Sequence, residues 1–194
     1  LAKDIKTPVL AGANRFIWSD AGNYYKEIYN SAFLIVPDGK IEGHYDKLHL
    51  VPFGEFVPKV PKPLLKFLPE KINMVGDFTP GREYTVFKIN RHSINVGAIH
   101  ELPLHVKFGV LICFEDVFPD LSREFVKRGA QFLINITNDG WYGVSSAPFQ
   151  HAQASVFRAV ENRVPVVRAA NTGLSVFIDE FGRVVDSVKL NNGQ

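Results

Sequence analysis

Lys107-Phe108-Gly109-Val110-Leu111-Ile112-Cys113-Phe114-Glu115-Asp116-Val117-Phe118-Pro119 is the stretch on which the fold turns. Lys107 to Cys113 is a nearly continuous apolar run, the pattern of a strand covered on both faces. Asp116 to Gly129 then carries Pro119 near its start, apolar Leu121, Phe125 and Val126, and a closing glycine, which together start and stop a helix. Phe132 to Thr137 follows as another buried strand. Downstream, Pro148 to Arg163 places Phe149, Ala152, Val156 and Val160 at helical spacing, with Gln150, Gln153, Glu161 and Asn162 off that stripe. Val164 to Ala170 reads as a strand, and Leu174 to Ile178 with Arg183 to Val188 as a hairpin about Asp179-Glu180-Phe181-Gly182.

Upstream, Val9 to Ala13 is a short apolar run closed by Asn14, and Ser31 to Val36 with Lys40 to Tyr45 flank the turn Pro37-Asp38-Gly39. Val86 to Ile89 and Ile94 to Ile99 are further strands. Strands alternating with helices give an α/β class, and the hairpins argue against a simple parallel sheet. Val57 to Gly76 departs from this regularity: four prolines, Lys59, Lys62, Lys66 and Lys71, and the apolar group Leu64, Leu65, Phe67 and Leu68. It reads as a long loop or lid, either a surface loop that folds its leucines onto the core or one whose composition suits the edge of a bilayer.

The 194 residues, 46% hydrophobic and 22% charged, suffice for one well-buried core, so one domain over residues 1–194 is expected. A net charge of +2 without long runs of either sign argues against nucleic acid as a partner. No window approaches about 18 consecutive apolar residues. The chain opens at Leu1 rather than Met, with a helix-tail-like Lys3-Asp4-Ile5-Lys6, and stops in Asn191-Asn192-Gly193-Gln194 directly after a strand, so it reads as an excerpt of a longer protein.

Candidate chemistry centres on Cys113 and Lys47. A thiol at a strand's carboxyl end, facing the start of a helix, sits where open α/β sheets bind ligands and where a thiolate is favoured. Lys47 lies beside Leu50, Phe53 and Phe56, and a lysine in such surroundings keeps its charge only with a carboxylate partner, for which Glu55 and Glu115 are the candidates. His100-Glu101-Leu102-Pro103-Leu104-His105 lacks the histidine spacing of a zinc helix and is broken by Pro103, so no metal is expected. Asn135-Ile136-Thr137 fits a glycosylation acceptor but lies in a buried strand, and is read as structure. Phosphate-binding glycine loops and the Gly-x-Ser-x-Gly elbow are absent.

The segments Tyr45 to Pro58, Ile112-Cys113-Phe114-Glu115, Asn138-Asp139-Gly140-Trp141-Tyr142-Gly143, Gln150-His151, Arg158 to Arg163 and Asn171-Thr172-Gly173 together resemble the nitrilase superfamily, and within it the apolipoprotein N-acyltransferase branch. The likeness runs over nearly the whole chain, and its combination of Lys-x-x-Leu-x-Pro-Phe-Gly-Glu with Asn-Asp-Gly-Trp-Tyr-Gly is highly specific.

That resemblance implies an α-β-β-α sandwich, here without its first strand-helix unit and C-terminal end. It matches Cys113 to the nucleophile, Lys47 to the triad lysine, and Glu55 and Glu115 to auxiliary active-site glutamates. The general-base glutamate falls before Leu1, so residues 1–194 alone are expected to be inactive. Lys47 and the Phe114 backbone N–H are the implied oxyanion donors; Trp141, Tyr142, Asn138, Leu64, Leu65 and Phe67 are candidates for substrate contact. The implied partners are a phospholipid acyl donor, an apolipoprotein acceptor, and the bacterial inner membrane, with this domain on its periplasmic side; no cofactor is implied. Two rival readings are a soluble nitrilase-like amidase and a non-catalytic domain that binds membrane or partner.

Overall fold

The computed structural model describes residues 1–56, 58, 77–90 and 105–188. After a single helical turn, α1 (Ala2–Ile5), come strands β1 (Val9–Trp18), β2 (Tyr25–Ile35) and β3 (Ile41–Asp46). They form an antiparallel sheet in that order. Pro37-Asp38-Gly39 makes the expected turn between β2 and β3, Gly39 taking a positive φ of 88° that suits glycine. Asn14 does not end β1. It continues the strand opposite Asn30, so β1 and the start of β2 extend well beyond the apolar run.

Among the described residues the second sheet has six strands: β4 (Val86–Asn90), β5 (His105–Ile112), β6 (Phe132–Thr137), β7 (Val166–Ala170), β8 (Ser175–Ile178) and β9 (Val184–Val188), in sequence order. β5, β6 and β7 run parallel, and the outer pairs are antiparallel. Helices α2 (Pro119–Lys127) and α3 (Ala147–Asn162) supply the crossovers. The chain is thus an α/β protein with one antiparallel and one mixed sheet. The expected strand Ile94 to Ile99, the His100 to His105 segment up to His105, and the lid 57–76 apart from Pro58 lie outside the described residues.

Alternation along the central strands sorts their side chains. Phe108, Val110 and Ile112 face the small sheet, where the Phe87 ring stacks on Phe108 at 5.1 Å and lies over Gly43. Gly109 turns the other way, and an added Cβ there would meet the Phe125 ring of α2 at 2.7–2.9 Å. Gly109→Ala is therefore expected to cost about 1–3 kcal/mol through overpacking, read as a lower urea midpoint with unchanged slope.

The extent of α3 agrees with the apolar spacing, but its inward face does so only in part: Ala152 is buried and Val156 packs against the core. Phe149 is 61% exposed, while His151, Ala152, Ser155, Arg158 and Ala159 are buried. The reason lies beneath the helix, where Asp116, Asp139 and Arg168 present charges that only polar side chains can satisfy. Arg158 pairs with Glu161, and also donates to the carbonyls of Asp116 and Val117. Among the described residues no helix is long and apolar enough to cross a membrane.

Candidate active site

β5 ends at Ile112, and Cys113 begins a short 3-10 helix, Cys113–Val117. Cys113 has φ 54°, a left-handed conformation that costs a residue with a Cβ about 1 kcal/mol or more. The reversal is held from behind by Asn135, whose Nδ2 donates to the carbonyls of Leu111 and Cys113. The half-buried thiol lines a cleft of about 840 Å³ beyond the carboxyl ends of β5, β6 and β7. Opposite it are Gly12, Ala13 and Asn14 of β1, and the cleft is also bounded by Glu55, Phe78, Asn138 and Trp141.

Lys47 follows β3 and is wholly buried. Its Nζ donates to both Glu55 oxygens at 2.8 Å, so of its two expected partners Glu55 makes the ion pair. Glu55 returns to Lys47 because Val51–Phe56 is a tight turn: Gly54 and Glu55 N–H donate to the Val51 carbonyl, with Phe53 at φ 62°. Asn30 Nδ2 and the Val51 N–H donate to the same carboxylate. Glu55 thus faces the cleft on one side and the buried ammonium on the other.

Glu115 does a different job. Its Oε1 accepts from the Tyr45 hydroxyl and the N–H groups of Leu48 and His49, and its Oε2 accepts from the Ile112 N–H. One carboxylate therefore staples the Lys47 segment to the Cys113 turn. Burial raises its pKa to about 7, against the pull of the Ile112 and His49 N–H groups, the Lys47 ammonium and the Tyr45 hydroxyl. A carboxyl raised on folding holds its proton longer in the folded state, so stability from this group is greatest below about pH 4.5. It declines as pH climbs to about 7, by on the order of 3 kcal/mol. Glu115→Gln is expected to remove that slope in denaturant melts taken between these limits. It is also expected to lower stability at the acid end, because an amide N–H₂ would confront the Ile112 N–H.

The aromatic pair separates. Trp141, 83% exposed, borders the cleft, whereas Tyr142 packs edge-on against His151 and borders a groove behind it. Phe114 also turns its ring to that groove, against Phe118 and His151. Its N–H lies in the first turn of the 3-10 helix, where amide groups lack partners within the helix. Leu64, Leu65 and Phe67 lie outside the described residues. Asn135, Asp116, Asp139, His151 and Arg168 were not picked out as site residues from the sequence, although Asp139 and His151 fall within segments that carry the resemblance.

The carbon-nitrogen hydrolase family model matches residues 1–192. The chain belongs to that family. It is 45% identical over 184 residues to the apolipoprotein N-acyltransferase of Geobacter metallireducens, covering 95% of this chain and 32% of that protein. With apolipoprotein N-acyltransferase 2 of Treponema denticola the identity is 37% over 188 residues, or 96% of this chain and 33% of the relative. The chain thus spans about a third of the length of these relatives. Its backbone superposes on Saccharomyces cerevisiae Nit3, of the nitrilase superfamily, with a TM-score of 0.60 at 22% identity, covering 96% of this chain and 57% of that one. A Nesterenkonia amidase gives 0.61 at 20% identity, covering 96% and 59%. The fold is that of the nitrilase superfamily.

Proposed function

We propose that these residues form the acyl-transfer site of an apolipoprotein N-acyltransferase. The observation that carries the reading is identity of 45% along 95% of the chain to a protein of that name. The cleft lined by both a strained Cys113 and Glu55, the carboxylate partner of buried Lys47, supports it.

In this reading a glutamate placed upstream by the family resemblance takes the Cys113 proton, and the thiolate attacks the ester carbonyl of a membrane phospholipid. The tetrahedral oxyanion is held by the Lys47 ammonium and the Phe114 N–H, each donor worth about 3 kcal/mol of barrier. Collapse expels a lysophospholipid and leaves a thioester. The α-amine of an apolipoprotein's lipid-bearing N-terminal cysteine then attacks, freeing the thiolate and forming the amide. Glu55 keeps the buried lysine charged, and Glu115 sets the distance between the Lys47 segment and the Cys113 turn. Trp141 and Asn138 border the space for acyl chain or acceptor. The catalytic domain faces the periplasm from the bacterial inner membrane.

Intact mass spectrometry of the full-length protein mixed with phospholipid tests this. An added acyl mass that is absent from Cys113→Ala and is discharged by a lipidated peptide amine is the expected result. No adduct with any phospholipid, or discharge by water alone, would overturn it.

A further inference from the structure

Behind the Cys113 turn, on the helix side of the large sheet, lies a closed ring of four ionisable side chains. Arg168 of β7 donates to Asp116 Oδ2 through Nη1 and to Asp139 Oδ2 through Nη2, both at 2.9 Å. His151 of α3 completes the ring on the other side, with Nε2 3.0 Å from Asp116 Oδ1 and Nδ1 2.9 Å from Asp139 Oδ1. Both carboxylates and the guanidinium are buried, and the imidazole is nearly so. Asp116 stands three residues beyond Cys113 within the same 3-10 turn, and Asp139 opens the turn that carries Trp141, next to Asn138. The ring therefore joins the two segments that form adjacent walls of the cleft.

Two buried carboxylates and one guanidinium leave one negative charge over, and the fourth corner is the place to neutralise it. Geometry asks the same, since a neutral imidazole has one N–H and here two carboxylate oxygens face its two nitrogens. The surroundings of His151 bear out the count. Asp116 and Asp139 face it from the two 3-10 turns, and Arg168 from β7. From its own helix Ser155 donates to Asp116, and Arg158, paired with Glu161, donates to the Asp116 carbonyl. The Tyr142 phenol lies edge-on to it. Burial and Arg168 oppose a charge on His151, but the hydrogen bonds and fields of the two carboxylates outweigh them and raise its pKa above the ordinary imidazole value. Arg168 Nη2 also lies 2.9 Å from Nδ1, a contact suited to a neutral ring; that alternative leaves Asp139 Oδ1 against a lone pair.

We propose that His151 is a positioning residue that acts as an imidazolium, donating to Asp116 and Asp139 together and so fixing the Cys113 turn against the Asn138–Trp141 segment. The inference rests on reading that cleft as the acyl-transfer site. Loss of the ring proton frees one carboxylate from its donor and lets the two walls shift. Because the folded pKa is raised, the brace is complete below the ordinary imidazole value of about 6.5 and fails as pH rises through the raised value.

The test uses full-length protein in detergent with isotope-labelled histidine, the His151 ring signals being identified by their loss in His151→Gln or, independently, in His151→Lys. Both ring nitrogens are expected to carry protons at about pH 6, with a midpoint above the ordinary value of about 6.5. First-turnover acylation of Cys113 by mixed micelles of detergent and total bacterial phospholipid, read as acyl mass on its peptide, should fall roughly tenfold or more as pH passes that midpoint. His151→Gln should be slower by roughly tenfold at about pH 6.5 and lack the alkaline limb. His151→Lys, permanently charged, should recover most of the rate and also lack the limb, which a space-filling role would not produce. A ring neutral from about pH 6 to 8, a glutamine variant with the parental rate and profile, or a lysine variant as slow as glutamine would each overturn the proposal. Should the glutamine variant not fold, the ring titration and the lysine variant still decide. No acyl adduct on parental Cys113 beside a titrating imidazolium would instead overturn the functional reading.

Discussion

Replacing Cys113 by alanine is expected to abolish thioester formation, a loss of about 10⁴-fold or more in turnover, with little change in the unfolding midpoint. Alanine keeps the Cβ and therefore the same unfavourable φ of 54°. Glycine at this position loses the thiol as well but relieves that conformation, so Cys113→Gly should be more stable than Cys113→Ala by about 1 kcal/mol. Activity and stability are thereby expected to move in opposite directions at one residue. Chemical denaturation of the two variants checks the second half, and a glycine variant less stable than alanine would show that the turn is unstrained. The strain has a plain use. It breaks β5 at the point where the sulfur would otherwise continue down the strand, and points it into the cleft.

The second large effect is expected at the Lys47–Glu55 pair. The lysine is fully buried and the glutamate nearly so, with two 2.8 Å contacts between them. Glu55→Ala leaves an ammonium without its carboxylate and is expected to cost about 3–5 kcal/mol. The double variant Lys47→Met with Glu55→Ala removes the stranded charge along with its partner, and should be more stable than Glu55→Ala alone. All of these variants should be inactive, because the oxyanion loses its cation or the cation loses its place. Additive losses in the double-mutant cycle would show that the two groups do not depend on one another.

The parts of this molecule that could be read from the sequence are those written in short-range pattern. The hairpin about Pro37-Asp38-Gly39, the alternating strand Phe132–Thr137 and the helix begun by Pro119 each announce themselves within a few residues. Lys47 and Glu55 belong to the same class, eight positions apart in a segment that folds back on itself. The chemistry behind the cysteine is not local. Asp116, Asp139, His151 and Arg168 meet across separations of up to 52 residues, and no spacing rule joins them. The same cause misled part of the reading of α3: hydropathy aimed the helix by Phe149, Ala152, Val156 and Val160, of which Ala152 is buried but Phe149 is not, whereas the charges beneath it turn His151, Ser155 and Arg158 inward. Asn14 misled in a smaller way, because a polar residue in an edge strand is satisfied by its ladder and need not end it.

β6 shows how little freedom such an arrangement leaves for change in chain length. Its odd-numbered residues, Leu133, Asn135 and Thr137, point toward the helices, and Ile134 and Ile136 point toward the small sheet. Deleting a single residue before Asn135 would exchange the two sets. The amide that grips the cysteine's carbonyl would swing into an oily interlayer, and an isoleucine would be pressed against Arg168. Substitutions along this strand have room for compromise, but a single-residue indel within it has none, because every side chain beyond the change would move to the other face.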